Sequence, residues 1–113
     1  MSTGPDELRA KMVQIAGRYL ERVIKEIVQL RTLVDNAASG NLDVVREIEA
    51  LTHRMHGSGA MLQFDEISGL AGQLERMAAD FVASGTVDQP CMVETLGKLQ
   101  AALDKAVAAR AAS

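Results

Sequence analysis

The sequence predicts an all-α protein, an up-down antiparallel four-helix bundle with an additional N-terminal helix. Hydrophobic residues make up 48% of the chain and aromatic residues only 3%, so its apolar content is mostly alanine, leucine and valine. Apolar positions recur at helical spacing through most of the chain. Short polar, glycine-containing segments separate these stretches, and such connections place consecutive helices antiparallel. The 113 residues are most simply one domain, residues 1–113, with the bundle over about 18–107.

The N-terminal part of the chain predicts two helices that separate at Gly17. Pro5 suits the first helical position, and the two acids that follow it favour the positive end of a helix dipole. Glycine weakens a helix interior, so we expect a kink or break there and predict helices over 5–16 and 18–37. The second helix carries a wide apolar stripe of the kind that a bundle buries: Leu20, Val23, Ile24, Ile27, Leu30, Leu33 and Val34.

A third helix is predicted over about 42–62. Gly40 suits the end of the preceding helix, and Asn41 is a suitable N-cap for the new one. Its apolar residues form one face that we expect to be buried: Leu42, Val45, Ile48, Leu51, Met55 and Leu62.

Two further helices complete the predicted bundle. Asp65 is expected to cap a helix over about 66–83, and Asp88 to cap the last one. In the last helix we expect Val93, Leu96, Leu99, Leu103 and Val107 to face inward. The alanine-rich tail after about residue 108 is expected to fray.

The charge balance and the missing motifs exclude several classes of function. The formal net charge is −3, and the sequence has no separate cluster of lysine and arginine residues. We therefore expect no nucleic-acid partner. The sequence has no phosphate-binding loop of the P-loop or kinase type, no C-x-x-C pair and no G-x-S-x-G motif. It is therefore not expected to bind ATP or to act as a kinase.

The cellular location of the protein is predicted from the lack of a membrane-spanning segment and of a secretory signal. No apolar run approaches the roughly 18–20 residues that a membrane span requires, and the N-terminus lacks the apolar segment of a secretory signal. The single cysteine, Cys91, excludes an intrachain disulfide and fits a reducing compartment. We therefore expect a cytoplasmic protein without a membrane partner.

The stretch LTHRMHGSGAMLQ, residues 51–63, contains both histidines of the chain. At about 100° per residue, His53 lies nearly opposite the predicted core face and should point to solvent. Gly57 and Ala60, at i+4 and i+7, share that exposed face and leave the imidazole accessible to another surface. His56 lies about 60° away around the helix, within reach of a group bound at His53.

Four chemistries could use this pair of histidines. Metal binding by Glu49, His53 and His56 is conceivable but lacks further ligands. General-base hydrolysis lacks an accompanying nucleophile or pocket, and a plain surface histidine is always possible. Nucleophilic attack by His53 on a phosphoryl group delivered by a partner fits best, because it requires a rigid helix, an exposed ring and a flat surround.

The stretch HRMHGSGAMLQF, residues 53–64, resembles the signature of histidine-containing phosphotransfer (HPt) domains, roughly H-x-[LM]-K-G-[SA]-[SAG]-x-x-[LF]-G. The preceding LVDNAASGNLDVVREIEALTH resembles the helix end, short turn and histidine helix of that family. The following FDEISGLAGQLE is similar to the start of its next helix. The resemblance covers about residues 18–107 and agrees with the helix count obtained independently above.

The resemblance implies a role for each matching residue. His53 is the phosphorylated histidine, and Gly57 gives a receiver domain room at the imidazole, with Ala60 on the same docking surface. His56 stands where the family commonly has a lysine that neutralises the phosphoryl group, although histidine is mostly neutral at pH 7. Gln63 stands where the family usually has glycine, which concerns helix geometry more than chemistry.

The resemblance also implies a function and its partners. We expect a phosphocarrier of two-component signalling, not a turnover enzyme: His53 accepts a phosphoryl group from a receiver aspartate and passes it to another response regulator. A hybrid histidine kinase is a further possible partner. The chain is expected to be a monomer without a cofactor of its own, and Mg²⁺ is expected in the receiver domain. The alternative function is a non-phosphorylated helical adaptor that binds a receiver domain or another helical partner.

Overall fold

The computed structural model describes residues 4–86 and 88–112. These residues form four helices and no strand: α1 (Gly4–Ala37), α2 (Leu42–Met61), α3 (Asp65–Ser84) and α4 (Gln89–Ala112). Each helix contacts two others, since α1 and α3 each pack against both α2 and α4. The predicted all-α class and the helical bundle are confirmed.

Hydrogen bonds across the bundle fix the register of neighbouring helices. Between α1 and α4, Arg110 donates to the carbonyl of Val13 at 2.9 Å, and Arg31 donates to the side chain of Gln100 at 2.6 Å. Later residues of α4 therefore meet earlier residues of α1. The same reversed order relates α2 and α3, where His56 contacts Ser68 and the earlier His53 contacts the later Glu75.

The core is built from apolar side chains of all four helices. Its largest fully buried members are Ile27, Leu30, Ile48, Met55, Ile67, Leu74, Met92, Leu99 and Leu103. Some positions predicted to face inward are exposed instead: Ile24 at 45%, Leu42 at 39%, Val93 at 50% and Val107 at 38%. These residues lie at the margins or ends of their apolar stripes. In this bundle the centre of each apolar stripe is buried, and the margins of the stripe remain in contact with solvent.

The prediction of an additional N-terminal helix is wrong, because α1 is continuous through Gly17. One glycine costs a helix interior only about 1 kcal/mol, which the packing of α1 outweighs. Gly17 is buried, and the guanidinium of Arg110 occupies the space that a Cβ at this position would need. The same contact explains a second difference: the C-terminal tail does not fray, and α4 runs to Ala112.

The helix ends agree with the predicted turn residues, with one exception. The Asn41 side chain accepts from the backbone of Asp43, as an N-cap should, and Asp88 accepts from the backbone of Cys91 at 3.1 Å. Asp65 does not cap α3; Phe64 precedes the helix, without a side-chain cap, and Asp65 is the first helical residue. The reason is the tight end of α2, which closes the turn one residue earlier than expected.

That tight end is a Schellman motif. The backbone N–H of Phe64 donates to the carbonyl of Gly59 at 2.8 Å, and that of Gln63 donates to the carbonyl of Ala60 at 3.2 Å. Gln63 has a φ of 65°, a left-handed conformation that favours glycine. This conformation gives a physical reason why glycine is the favoured residue at such a position.

We predict that Gln63→Gly raises the free energy of unfolding by about 0.5–1 kcal/mol, because the left-handed conformation penalises a side chain. Urea unfolding followed by far-UV circular dichroism measures the change. The matched control is Gln73→Gly, at an exposed position in the middle of α3, which should lower the same quantity by about 1 kcal/mol. A loss of stability in both variants would contradict the role assigned to the left-handed backbone.

Candidate functional site

His53 lies on the outer face of α2. Its side chain is 72% exposed, and Gly57 and Ala60 are exposed beside it. A Cβ added at Gly57 would meet nothing within 4 Å, so the glycine leaves open space next to the ring. The structure thus brings His53, Gly57 and Ala60 together on one accessible surface.

One nitrogen of the His53 ring is held by α3. Nδ1 lies 2.6 Å from Oε2 of Glu75, whose side chain is 24% exposed. An ionised carboxylate only accepts hydrogen bonds, so Nδ1 carries a proton and donates it to Glu75. In the neutral ring, Nε2 therefore carries the lone pair. The contact fixes the ring orientation and leaves the lone pair of Nε2 unengaged by Glu75.

His56 is placed differently, in the contact between α2 and α3. Its Nδ1 lies 2.8 Å from the backbone carbonyl of Ser68 and 3.0 Å from its Oγ. The Ser68 hydroxyl in turn donates to the carbonyl of His56 at 2.8 Å. Because a carbonyl only accepts, His56 also carries its proton on Nδ1. A neutral His56 therefore has no second N–H to offer, and only the protonated ring could donate from Nε2.

A cation lies close to this half-buried ring. His56 packs over Gly72, where an added Cβ would be 3.1 Å from Nδ1, and the Arg76 guanidinium is 3.6 Å from the same point. The ring of His56 and the guanidinium of Arg76 thus share the space above Gly72. Unlike histidine, arginine is charged at every physiological pH.

Tyr19 and Gly59 lock α1 against the end of α2. The Tyr19 hydroxyl donates to the carbonyl of Met55 at 2.8 Å, and its ring stacks on Phe64 with a centroid distance of 5.3 Å. A Cβ on Gly59 would lie 2.6 Å from that hydroxyl and 3.2 Å from Cβ of Ser68. Burial raises the pKa of Tyr19 to about 12, partly offset by the nearby Arg22, so the phenol stays protonated and donating over the physiological range.

The described residues do not group the side chains that would be needed to hold a metal ion. Among residues 4–86 and 88–112, no three side chains of histidine, cysteine, aspartate or glutamate are grouped closely enough to hold an ion. In the conceivable set of Glu49, His53 and His56, one histidine ring bonds to Glu75 and the other to Ser68. In the same part of the chain, no helix has the length and apolar character needed to cross a membrane.

Sequence reasoning missed Glu75, Ser68 and Arg76 as neighbours of the histidines. A signal for Glu75 was present in the turn between α2 and α3. His53 lies ten residues before Gln63, and Glu75 lies eleven residues after Phe64, so an antiparallel helix pair closed at this turn places the two side by side. The prediction required the exact turn position, which the mistaken cap at Asp65 obscured.

The fold and the carboxylate-bound histidine define a helical-bundle protein that presents an oriented imidazole on its outer surface. The chain matches the family model for the Hpt domain over residues 14–110, and it belongs to the Hpt domain family. Hpt domains have a phosphotransfer role in two-component signalling; they are phosphocarrier modules that interact with response-regulator receiver domains, not turnover enzymes. Searches of curated proteins and of solved structures returned no match.

We predict opposite effects for alanine at the two glycines of the histidine helix. Gly59→Ala should lower the free energy of unfolding by about 1–3 kcal/mol, because its Cβ would overlap Tyr19 and press on Ser68. Gly57→Ala should raise it by about 0.5–1 kcal/mol, because the space is open and alanine favours the helix. Urea unfolding of both variants measures the difference. Equal changes would show that the packing around Gly59 is not the reason for its glycine.

Proposed function

We propose that this protein is a phosphorelay intermediate that carries the phosphoryl group on His53. The observation that supports this most strongly is the His53 ring itself, exposed on a rigid helix with Nδ1 bound to Glu75 at 2.6 Å. A ring held in this way directs the lone pair of Nε2 outward. A partner that brings an acyl phosphate to this surface meets a positioned nucleophile.

The transfer step requires no proton movement on this chain. The lone pair of His53 Nε2 forms a bond to phosphorus while the bond from phosphorus to the receiver's aspartyl oxygen breaks, and its electron pair returns to the aspartate as a carboxylate. The His53 ring, now substituted at Nε2 and protonated at Nδ1, becomes an imidazolium. The Glu75 carboxylate stabilises this developing positive charge. Return of the group to a second receiver aspartate reverses these bond changes.

The docking surface in this proposal centres on His53, Gly57 and Ala60. These positions combine an exposed ring with small neighbours, which lets a receiver approach α2 closely. The receiver supplies its aspartate and the Mg²⁺ that neutralises the transferring group. A hybrid histidine kinase that carries a receiver is a possible donor. We place this exchange in the cytoplasm.

We also propose that the helices follow the up-down antiparallel order predicted from the sequence. The reversed register of α1 with α4, and of α2 with α3, supports this order. In such a bundle the histidine helix and the helix that carries Glu75 are neighbours in both sequence and space. The contact between His53 and Glu75 therefore depends on one short connection.

Charge neutralisation at the phosphoryl group is proposed to involve His56 and Arg76. His56 keeps Nδ1 on Ser68, so it assists only as a protonated ring that donates from Nε2. Arg76 lies beside the same ring and is charged regardless of pH. We therefore assign the permanent positive charge near the site to Arg76, and His56 contributes a second donor only in its protonated form.

Two phosphoryl donors test the nucleophile and the docking surface separately. A phosphorylated receiver domain must dock, whereas the small donor phosphoramidate need only reach the ring. We predict label on wild-type protein from both donors and on His53→Gln from neither. Gly57→Gln should lose most transfer from the receiver but keep reaction with phosphoramidate, because the added side chain blocks only the larger partner. Mass spectrometry and acid-labile radiolabel measure the product.

Two outcomes of this assay would contradict the proposed function. Undiminished label on His53→Gln would overturn the assignment of the nucleophile. Receiver binding without any label on the wild-type protein would favour the adaptor function instead. Arg76→Ala is expected to slow receiver transfer, because it removes the permanent positive charge near the site.

Glu75 is predicted to act as a positioning residue for His53. Glu75→Ala should slow reaction with both donors by about 10–100-fold, the range known for removal of the hydrogen-bond partners that orient metal-binding histidines. Glu75→Gln should retain part of the rate, because its amide oxygen still accepts from Nδ1 but offers no negative charge. The control is Glu94→Ala, an exposed glutamate of α4 paired with Lys98, which should react normally. Unchanged rates with Glu75→Ala would show that the ring needs no such partner.

A further inference from the structure

A groove between α1 and α2 lies next to the surface on which His53 is exposed. Its volume is about 340 Å³. The groove, here called the α1–α2 groove, is lined by Ile15, Arg18, Tyr19 and Arg22 of α1 and by Ser58 and Met61 of α2. Met61 follows Gly57 by four residues and Gly57 follows His53 by four, so these positions form one row along α2. The groove therefore continues the surface of His53 towards α1.

Met61 is the main apolar side chain at this groove. It is 82% exposed, the largest value among the large apolar side chains of the described residues, and Ile15 across the groove is 43% exposed. Methionine is flexible and polarisable, and methionine and arginine are both enriched in protein interfaces. A partner on this groove would remove both apolar side chains from water.

Arg22 is held in a fixed orientation at the same groove. Its guanidinium lies over the Tyr19 ring, 5.4 Å from the centroid, and its Nε lies 3.7 Å from Oε1 of Glu26. The Glu26 side chain is only 12% exposed, whereas that of Arg22 is 49% exposed. The carboxylate thus supports the arginine from the inside. A guanidinium oriented before binding loses less conformational freedom when it pairs with a partner's carboxylate.

The charge of the groove is opposite to that of the whole chain. The formal net charge is −3, yet the described lining contains Arg18 and Arg22 and no acidic side chain. Burial raises the pKa of Glu26, and Arg22 and Arg54 partly offset this rise, which places a third arginine on the α1 side of α2. An acidic partner surface is complementary to this region.

The extent of a protein interface indicates which partner covers the groove. Hpt domains interact with response-regulator receiver domains, and a receiver must reach His53 for transfer. Transient and standard interfaces cover about 600–800 Å² of each partner, equivalent to a disc of about 14–16 Å radius. Met61 lies eight residues after His53, about 12 Å along the helix axis. A receiver centred on His53 therefore also covers the edge of the groove.

We propose that the receiver domain bound at His53 also occupies the α1–α2 groove, where Met61 is its apolar anchor and Arg18 and Arg22 pair with its acidic side chains. This inference rests on the proposed function, because the same receiver docks at His53. The three groove residues do not touch the reacting atoms. They determine which receivers bind tightly, whereas His53 determines whether a bound receiver can transfer its phosphoryl group.

Receiver affinity and phosphotransfer are measured separately to test this proposal. Purified receiver domains are titrated into the wild-type chain by isothermal titration calorimetry, and the tightest one is used with the variants. We expect Arg18→Glu to raise the dissociation constant by about tenfold and Met61→Glu by about 10–100-fold. The KM for the phosphorylated receiver should rise in parallel. Reaction with phosphoramidate should keep the wild-type rate, because the contact of His53 with Glu75 is unchanged.

Two matched controls change the same kinds of side chain elsewhere. Lys98→Glu reverses a charge that is 62% exposed on α4, a helix that does not pack against α2. Val28→Glu replaces an exposed valine of α1 that faces α4 across another groove. Both variants should bind the receiver and accept label like the wild type.

The salt dependence of binding tests the acidic character of the partner. The wild-type affinity should fall as salt rises from about 0.05 to 0.5 M, and this dependence should be weaker in Arg18→Gln with Arg22→Gln. An equal salt dependence in this double variant would overturn the proposed charge pairing.

Failure of the groove and failure of the phosphorelay give different results. Wild-type receiver affinity in Met61→Glu and Arg18→Glu would overturn the groove and leave the role of His53 intact. A wild-type chain that binds the receiver but takes no label from either donor would overturn the proposed function. In that case, weaker receiver binding by Met61→Glu would still support the groove. Absence of binding to every receiver would overturn both proposals.

Discussion

The close contact between α2 and α3 is the constraint on which the site depends. It is fixed at Ser68, whose hydroxyl donates to the carbonyl of His56 and whose own carbonyl accepts from the His56 ring. Glycines on both sides make this approach possible, because Cβ atoms at Gly59 and Gly72 would meet Ser68 and His56. Two hydrogen bonds between the same two residues permit only one register of the helices.

That register determines the chemistry of the exposed histidine. With His56 beside Ser68, His53 lies one turn earlier in α2 and Glu75 two turns later in α3. The antiparallel packing brings these two side chains to 2.6 Å. A shift of α3 by a single residue along α2 would rotate the carboxylate away from the ring. The tautomer of His53 therefore depends on a packing contact about one helical turn away along α2. Tyr19 and Phe64 hold the closed end of this helix pair against α1.

Much of the fold followed from periodicity and turn residues. The exposure of His53 was predictable because its position relative to the apolar stripe of α2 is a local property of one helix. The continuity of α1 was not, because the cost of Gly17 is small and the compensating contact comes from Arg110, 93 residues later in the chain. Asp65 was misplaced because a left-handed glutamine ended α2, where the pattern of favoured residues predicts glycine.

The hydrogen-bond partners of the two histidines could not be predicted, because they lie on a different helix, α3. Both rings carry the proton on Nδ1, but one donates to a carboxylate at the surface and the other to a backbone carbonyl inside the helix contact. A carboxylate gains interaction energy when the ring becomes cationic, whereas a neutral carbonyl gains much less. The acceptor opposite each ring, supplied by α3, thus suits His53 to bear a new positive charge and suits His56 to hold the helices in register. The different environments of His53 and His56 are therefore set by the facing helix, α3. They can be predicted only when the turn at Gln63 and Phe64 is placed correctly.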